Sequence, residues 1–233
     1  NICEDIWEKI GPSEVQCANG AQIIINLNSS PYESGKQRDR VDIVTDLSRR
    51  NRVYTVYTNQ IGGQDELVFD GGSMLAGPDG ELLGTSPRFE ESLLVVDIDT
   101  VTLEHSRLQH PSFAISQDEL DAIGQPSMVD ITVGSSPKRP KLQNLSIHRL
   151  DRLEAVYRAL VLGTRDYLKK TGFKKVAIAV SGGIDSAIVT AIAVDAIGAD
   201  NVIGVALPSR YSSRGSISDA EDLCTRLGVE LWK

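Results

Sequence analysis

The stretch Ser181-Gly182-Gly183-Ile184-Asp185-Ser186 lies between an apolar run and a segment of helical length. The run, residues 175–180, has the composition of a buried parallel strand, and residues 187–197 are followed by a glycine typical of helix ends. Glycines let the backbone approach a phosphate closely, and the N–H groups at a helix start point toward it. The stretch therefore predicts an anion-binding loop in an α/β fold, with two hydroxyl donors and one carboxylate for a metal ion.

This loop differs from two common nucleotide-binding loops. The chain contains no G-x-x-x-x-G-K-[ST] motif, and the loop does not have the G-x-G-x-x-G spacing. It resembles the pyrophosphate loop of the ATP pyrophosphatase family, whose members cleave ATP between the α and β phosphates. The resemblance implies that a substrate is adenylated and that pyrophosphate is released.

Length, charge and cysteine usage limit the class of protein. A chain of 233 residues can form one large or two small domains. Its net charge of −8 argues against a nucleic-acid partner, and no apolar run reaches the ~18 residues of a membrane span. Cys3, Cys17 and Cys224 are odd in number and widely spaced, so we expect a reduced, cytoplasmic protein without a structural zinc site. Because the chain opens without methionine and ends in an apolar run, we expect an internal piece of a longer protein.

The first hundred residues alternate strand and helix signals. The helix predicted over residues 36–51 carries Arg38-Asp39-Arg40 and Arg49-Arg50, which we expect on solvated faces. Patterns rich in β-branched residues, and Gly-Pro-Asp-Gly turn chemistry, predict strands at 23–27, 52–58, 72–76, 81–85 and 92–97. These elements indicate a layered α/β domain.

The last third of the chain carries two consecutive β-α units. The strand before the Ser/Gly loop is followed by a second apolar strand at residues 202–207 and by a helix expected to open at the capping box Ser218-Asp219-Ala220-Glu221. An earlier helix should open at Asp151, after a proline-rich linker or wrapping arm over residues 105–145. The Ser/Gly loop then lies at the carboxyl end of a parallel strand, where open α/β sheets bind ligands.

The second strand leads into Pro208-Ser209-Arg210-Tyr211-Ser212-Ser213. Arg210 would reach the same sheet edge and could brace phosphates, although an arginine at such a position more often belongs to an ordinary polar loop. Together with residues 158–167, residues 170–173 and the Ser/Gly loop, this stretch resembles the synthetase domain of glutamine-dependent NAD synthetases. The resemblance covers most of residues 150–231. It implies that ATP is bound by Ser181, Gly182, Gly183, Asp185, Ser186, Leu207 and Arg210, with Asp185 also supporting Mg²⁺.

Cys3-Glu4 follows strand residues, as a nucleophile does at a strand-to-helix turn. The Cys3 thiol could attack a carboxamide while the Glu4 N–H binds the oxyanion, although a lone cysteine is more often buried and inert. The stretches 26–32, 57–63 and 69–73 resemble the carboxyl-terminal half of nitrilase-superfamily domains, most closely the glutaminase domain of NAD synthetases. That family uses a Glu, a Lys and a Cys. The resemblance makes Cys3 the nucleophile and Glu4 its catalytic neighbour, places the Glu and Lys before residue 1, and assigns glutamine binding to Ser30 and Lys36.

The two resemblances imply an α/β chain with three parts. Residues 1–104 would form part of a nitrilase-like αββα sandwich, 105–145 a linker, and 146–233 part of a Rossmann-like ATP pyrophosphatase domain with a parallel sheet. The implied activity hydrolyses glutamine at Cys3, adenylates deamido-NAD with ATP and Mg²⁺, and lets ammonia displace AMP to give NAD. The implied protein is a homo-oligomer without nucleic-acid or membrane partners.

Two other functions remain open from the sequence. One is a tRNA-modifying pyrophosphate-loop enzyme, and the other is a carbon–nitrogen hydrolase joined to a nucleotide-sensing module. The isolated 233-residue chain is expected to catalyse no complete reaction, because both sites lack residues that the family uses.

Overall fold

The computed structural model describes residues 1–109, 115–131, 144–207 and 214–233. These residues form two compact units, the first comprising residues 1–61 and 69–150 and the second residues 62–68 and 151–233. Both units combine helices with a sheet, which confirms the predicted α/β class. The predicted domain limits at residues 104 and 146 stay predictions, because compact units describe contacts within the chain rather than family domains.

The first unit is built on a four-stranded sheet and an associated hairpin. The strands are β1 (Ile23–Asn28), β2 (Tyr54–Asn59), β3 (Ile61–Gln64), β4 (Leu67–Asp70), β5 (Met74–Ala76) and β6 (Leu82–Thr85). The sheet order is β1-β2-β5-β6, and β3 and β4 pair separately as a hairpin whose residues 62–68 group with the second unit. β1 and β2 are parallel and in register, so Asn28 and Asn59 end side by side. Polar residues from two strands therefore meet at one edge of the sheet.

Helices cover this sheet and bury an apolar core. A 3-10 helix spans Cys3–Ile6, and the α-helices are α1 (Pro12–Ala18), α2 (Lys36–Asn51), α3 (Thr100–Gln109) and α4 (Gln117–Ile123). Val44 and Leu47, three residues apart on α2, pack with Ile24 of β1 and Tyr57 of β2. The amphipathic pattern that predicted α2 is therefore the pattern that attaches the helix to the sheet.

The second unit contains a parallel sheet of three strands. These are β7 (Val176–Ala179), β8 (Val202–Val205) and β9 (Glu230–Trp232), in the order β7-β8-β9. Its helices are α5 (Arg152–Thr171), α6 (Ile184–Ile197) and α7 (Arg214–Leu227), with a short 3-10 helix at Ala199–Asn201. Val180, Val202, Ala193 and Cys224 share one buried cluster. The two predicted β-α units are therefore present, and the loop between β7 and α6 lies at the carboxyl end of a strand.

Three local expectations are wrong. Residues 92–97 form no strand, and Val96 instead packs beside the buried side chains of Tyr54, Leu75 and Leu103, so its apolar character reflects core cover rather than strand pairing. Helix α3 extends into the segment expected to be a linker from residue 105. Ser218 lies inside α7 and its hydroxyl donates to the Gly215 carbonyl at 2.9 Å, so it is not a helix cap.

Among the helices in the described parts of the chain, none is long and apolar enough to cross a membrane.

The start of α5 generates a prediction about acid stability. Asp151 accepts hydrogen bonds from the N–H groups of Leu153 at 2.8 Å and Glu154 at 3.4 Å, and these bonds lower the pKa of its carboxyl below 3.8. A carboxyl whose pKa is lower in the folded state stabilises the fold above its ordinary pKa and loses that contribution as the pH falls through the folded value. In urea unfolding, the advantage of the wild type over Asp151→Asn should be larger at pH 7 than at pH 3.

The Asp151→Asn variant is a matched comparison, because its side-chain oxygen still accepts from the helix but does not titrate. An Asp151→Ala variant, which lacks the acceptor, should be less stable than Asp151→Asn at both pH values. An advantage of the wild type that does not change with pH would contradict the assignment.

Candidate functional site

The loop between β7 and α6 requires glycine at its second position. Gly182 has φ +79°, a left-handed conformation that side chains rarely adopt. A Cβ atom at this position would lie 2.2 Å from the Ser216 carbonyl oxygen of α7. Gly183 has φ −90° and ψ 160° and precedes the first residue of the helix. The backbone of the loop therefore packs directly against α7 at Gly182 and turns into α6 at Gly183.

Two serines close the loop on itself. The Ser181 N–H donates to the Ser186 hydroxyl at 3.2 Å, and the two hydroxyl oxygens lie 3.1 Å apart. The Ser186 hydroxyl donates to the Gly183 carbonyl at 2.9 Å, and the Gly183 N–H donates to the Ser181 hydroxyl at 3.3 Å. Ser181 is exposed, so its hydroxyl and the positive end of the α6 dipole face solvent together. This arrangement suits an anion.

A cavity of about 270 Å³ lies next to the loop. Its walls come from the ends of β7 and β8 and from α7, and they are Ala179, Val180, Ser181, Val205, Ala206, Leu207, Ser216, Ile217 and Ala220. Ala206 is buried and Leu207 is 75% exposed, and the predicted ATP ligand Leu207 lines the same cavity as the loop. Apolar walls beside polar donors suit a heterocyclic ring that carries phosphates. The other predicted ATP ligand, Arg210, lies outside the described residues, as does the whole stretch 208–213.

Asp185 supplies one carboxylate in the first turn of α6, where it is exposed. Within the described ranges no group of three or more His, Cys, Asp or Glu side chains could hold a metal ion. Mg²⁺ is usually bound in proteins by one or two carboxylates together with substrate phosphates and water. Asp185 fits that role only alongside a phosphate held by the loop.

Cys3 occupies a strained turn in the first unit. Its φ is +45°, which is uncommon outside glycine and is found mostly where the surrounding structure enforces it. The preceding residue, Ile2, pairs with Leu27 of β1, and Cys3 opens the 3-10 helix directly afterwards. The Asp5 carboxylate accepts from the Ile2 N–H at 2.8 Å and fixes this turn. The thiol is therefore presented at a strand-to-helix junction, as the sequence predicted.

The Glu4 side chain is exposed, while its backbone N–H belongs to the open first turn of the 3-10 helix. The first N–H groups of a helix have no partner within the helix, so they are able to bind an oxyanion. Glu4 is consequently placed to act through its backbone rather than its carboxylate.

Two sets of asparagine hydrogen bonds hold the Cys3 turn and Ser30 at the ends of β1 and β2. The Asn26 side-chain amide donates to the Cys3 carbonyl at 3.3 Å and to the Asn28 side-chain oxygen at 2.6 Å. The Asn59 side chain accepts from the Ser30 N–H at 2.9 Å and donates to the Ser30 carbonyl at 3.1 Å. Sequence reasoning did not identify this network. The sequence feature that could have indicated it is the occurrence of asparagines at the ends of otherwise apolar strands.

Arg40 is buried, contrary to the expectation that the charged face of α2 is solvated. Arg40 is only 1% exposed and Asp70 is 0% exposed, and their side chains form an ion pair at 2.8 Å. Arg88 binds the other carboxylate oxygen of Asp70 at 2.7 Å. Arg40 also donates to the Ser30 carbonyl at 2.9 Å. Ser30 therefore sits between the asparagine network and a buried ion pair.

Lys36, the other predicted glutamine ligand, begins α2 and lies in the same connection between β1 and α2 as Ser30. Its ammonium lies 5.4 Å from the centre of the Trp7 ring, within the range of a cation–π contact. Trp7 directly follows the Cys3 helix. The contact places Lys36 on the same side of the unit as the Cys3 helix end.

The three thiols have different surroundings. Burial, the largest cause, and then the nearby Glu14 carboxylate raise the pKa of Cys17 to about 12. Burial also raises the pKa of Cys224, whereas Cys3 is only half-buried. Because the thiolate is the nucleophile, Cys17 and Cys224 are inert at neutral pH. Of the three cysteines, Cys3 is the one placed for chemistry.

Models of two known protein families match two separate segments of the chain. Residues 2–107 match the carbon–nitrogen hydrolase family, and residues 156–233 match the NAD synthase family. After the family models that they match, residues 2–107 are called the hydrolase segment and residues 156–233 the NAD synthase segment. Cys3 lies in the hydrolase segment and the Ser/Gly loop in the NAD synthase segment.

Relatives that contain both segments are similar to this chain over nearly all of its length. It is 39% identical to a glutamine-dependent NAD(+) synthetase of Thermotoga maritima and 37% identical to that of Aquifex aeolicus, in each case over 99% of the chain. The structure of glutamine-dependent NAD+ synthetase from Acinetobacter baumannii, solved with ADP, aligns with a TM-score of 0.76 and 35% identity over 99% of the chain and 37% of its own. The resemblance predicted from the sequence is confirmed. The chain spans 40% of the length of the Thermotoga and Aquifex relatives.

The surroundings of the three thiols predict which cysteine is alkylated fastest. At pH 8, a thiol with a pKa of about 12 is ionised to only about one part in 10⁴. Iodoacetamide should therefore label Cys3 at least about 10-fold faster than Cys17 or Cys224, as measured by peptide mass spectrometry. A Cys3→Ala variant should lose the fast phase, and equal labelling of Cys17 would contradict the assignment.

The two loop glycines of the NAD synthase segment provide a matched pair of substitutions. Gly182→Ala should lower the free energy of unfolding by at least about 2 kcal/mol, because the new Cβ meets backbone in a left-handed conformation. Gly183→Ala should change it by less than about 1 kcal/mol, because its Cβ would lie 3.4 Å from the Ser181 hydroxyl oxygen at negative φ. Urea unfolding and ATP binding measured on both variants would test this. Equal losses in the two variants would show that the Gly182 contact does not shape the loop.

Proposed function

We propose that this chain takes part in glutamine-dependent NAD synthesis, with glutamine hydrolysed at Cys3 and deamido-NAD activated by ATP at the Ser/Gly loop. The observation that carries the proposal is the presence of both segments in one chain, each with its reactive turn intact. Similarity to synthetases over 99% of the chain supports the same pairing of activities. An amide donor and an activated carboxylate are the two halves of one amidation.

The first reaction would take place on the hydrolase segment. The Cys3 sulfur attacks the carboxamide carbon of glutamine, and the Glu4 N–H stabilises the oxyanion that develops. Ammonia leaves and a thioester remains, which water then hydrolyses to glutamate. The thiol proton would pass to the glutamate base that the resemblance places before residue 1. Ser30 and Lys36, in the connection between β1 and α2, would bind the glutamine.

The second reaction would take place on the NAD synthase segment. The nicotinate carboxylate of deamido-NAD attacks the α-phosphorus of ATP, pyrophosphate leaves, and ammonia then displaces AMP from the acyl-adenylate. Ser181, Ser186 and the backbone of Gly182 and Gly183 would hold the phosphates, and the cavity beside Leu207 would take the adenine. Mg²⁺ bound through Asp185 and the phosphates would neutralise charge on the leaving pyrophosphate.

The proposal extends to the setting in which the protein works. Glutamine and deamido-NAD would be its substrates, with neither nucleic acid nor membrane as a partner. The net charge of −8 supports the first of these exclusions. We place the protein in the cytoplasm as a homo-oligomer, and its three free cysteines are in keeping with a reducing compartment.

The decisive experiment separates the two nitrogen sources in the natural protein that contains these residues. A Cys3→Ala variant should lose glutamine-dependent NAD formation by at least about 10³-fold, because no thioester can form. Its ammonia-dependent NAD formation should stay within about twofold of wild type, because the Ser/Gly loop is unchanged. Both rates can be followed by coupled reduction of the NAD formed.

A Cys17→Ala variant is the matched control, because that thiol is buried and inert. It should retain both activities. Equal loss of the two activities in Cys3→Ala would count against a glutaminase role, and an ammonia-dependent rate that does not require ATP would count against the synthetase role.

A further inference from the structure

The Arg40 guanidinium has a partner for each of its five N–H groups. Its Nε donates to the Ser30 hydroxyl at 3.2 Å, and its Nη2 donates to the carbonyls of Ser30 at 2.9 Å and Pro31 at 2.8 Å. Its Nη1 donates to Asp70 at 2.8 Å and to the Gln37 side-chain oxygen at 3.3 Å. One planar group thus binds the side chain and the backbone of the same serine. Few side chains other than arginine have this fork of donors.

The position of this guanidinium is fixed by charge. An arginine buried without a counter-ion would be strongly destabilising, so Arg40 must remain at Asp70. Asp70 is held in turn by Arg88, whose Nε donates to the second carboxylate oxygen at 2.8 Å. The Asp70 carbonyl also accepts from the Phe89 N–H at 2.9 Å. Because Asp70 is held on several sides, Arg40 presents its Nε to Ser30 from a constant position.

The hydrogen bond from Arg40 determines which hydrogen-bonding role remains for the Ser30 hydroxyl. A hydroxyl has one donor and two acceptor sites, and an arginine side chain only donates. Toward Arg40 the Ser30 oxygen therefore accepts, and its own hydrogen must point elsewhere. The Ser30 N–H is already taken by the Asn59 side chain, and its carbonyl by Asn59 and Arg40. The hydroxyl hydrogen is the donor of Ser30 that its contacts with Arg40 and Asn59 leave unused.

Tyr57 is the other polar side chain beside this hydroxyl. Its own hydroxyl is fully buried and has no hydrogen-bond partner among the described residues. Burial is the largest influence on its pKa and raises it, while Ser30 and Arg40 act in the opposite direction, and the net result is a raised pKa. Tyr57 therefore stays neutral, and Arg40 is the group that donates to the Ser30 oxygen.

We propose that Arg40 is a positioning residue for glutamine binding, which orients the Ser30 hydroxyl to donate to an oxygen of the substrate. The inference rests on the proposed function, in which Ser30 binds glutamine. The Arg40 guanidinium lies 3.2 Å from the Ser30 oxygen. Its positive charge disfavours the α-ammonium group of glutamine next to Ser30 and favours a carboxylate or carboxamide oxygen of glutamine there. Arg40 acts through Ser30 and does not touch the reacting atoms.

The test uses glutamine protection of Cys3 against iodoacetamide, together with steady-state glutaminase kinetics, in the natural protein that contains these residues. Arg40→Lys keeps the charge opposite Asp70 but removes the fork that reaches Ser30. It should raise the glutamine concentration for half-protection, and the KM for glutamine, by about 10-fold or more, with kcat within about threefold of wild type. Alkylation of Cys3 without glutamine should proceed at the wild-type rate, because iodoacetamide does not need Ser30.

Arg50→Lys is the matched control. Arg50 also lies on α2 and pairs at 3.2 Å with a buried carboxylate, that of Glu14, and at 2.7 Å with the carboxylate of Asp46. It should lower stability in urea unfolding to a degree comparable with Arg40→Lys while leaving the KM for glutamine unchanged. A rise in KM in both variants would mean that loss of any buried pair loosens the site, and it would overturn the specific role of Arg40.

A double-mutant comparison tests whether Arg40 acts through Ser30. Ser30→Ala should raise the KM, and combining it with Arg40→Lys should add little, because the contact is already gone. Additive effects would overturn the inference. If Arg40→Lys does not fold, Gln37→Ala loosens the same guanidinium from a half-buried position, and it should raise the KM by about threefold. An unchanged KM in Gln37→Ala would then contradict the inference.

The outcomes for the inference and for the proposed function are distinct. If glutamine neither protects wild-type Cys3 nor supports turnover, the proposed function fails. If glutamine protects the wild type and Arg40→Lys equally well, the proposed function stands and the role of Arg40 is wrong.

Discussion

The pair of Arg40 and Asp70 is the interaction on which the candidate site of the first unit depends. Both groups are fully buried, so removing Asp70 would leave Arg40 as an uncompensated buried charge, which typically costs about 3–5 kcal/mol. Asp70 ends β4, Arg40 lies in the second turn of α2, and Ser30 belongs to the connection before that helix. A single ion pair therefore fixes a strand end, a helix and a loop at one point. Next to it, Asn26 donates to the Cys3 carbonyl and to Asn28, and Asn28 donates to the Thr58 carbonyl of β2.

The second unit depends on a steric constraint rather than on charge. The backbone of α7 passes so close to Gly182 that a single additional carbon would overlap the Ser216 carbonyl. This contact sets the depth at which the loop sits against α7. The hydroxyls of Ser181 and Ser186 then close the turn through short hydrogen bonds of their own. A close backbone packing and two small side chains thus set the shape of the loop where α6 begins.

Local pattern predicted much of this arrangement, and long-range pairing accounts for what it missed. The apolar run at β7, the glycines after it and the Asp151 cap all act over a few residues, so their positions could be predicted. Arg40 was missed because its charge suggested a solvated face, although it lies four and seven residues before Val44 and Leu47, on the face of α2 that packs against the sheet. Helical spacing therefore indicates that Arg40 faces the interior, but it does not indicate the partner Asp70, which lies 30 residues away. Residues 92–97 have an apolar pattern typical of a strand, but they pair with no other strand, and Val96 instead packs on a buried cluster.

Backbone strain explains why the Cys3 turn needs so much support. A non-glycine residue at positive φ costs about 1–3 kcal/mol and persists only where neighbouring contacts enforce it. At Cys3 those contacts are the bridge from Ile2 to β1, the Asp5 carboxylate and the Asn26 amide, which bind on both sides of the strained residue. At the Ser/Gly loop, glycine accepts the positive φ with less cost, and two serines are enough. The proposed nucleophile must carry a side chain, so the hydrolase segment holds this turn with hydrogen bonds to Asp5 and Asn26.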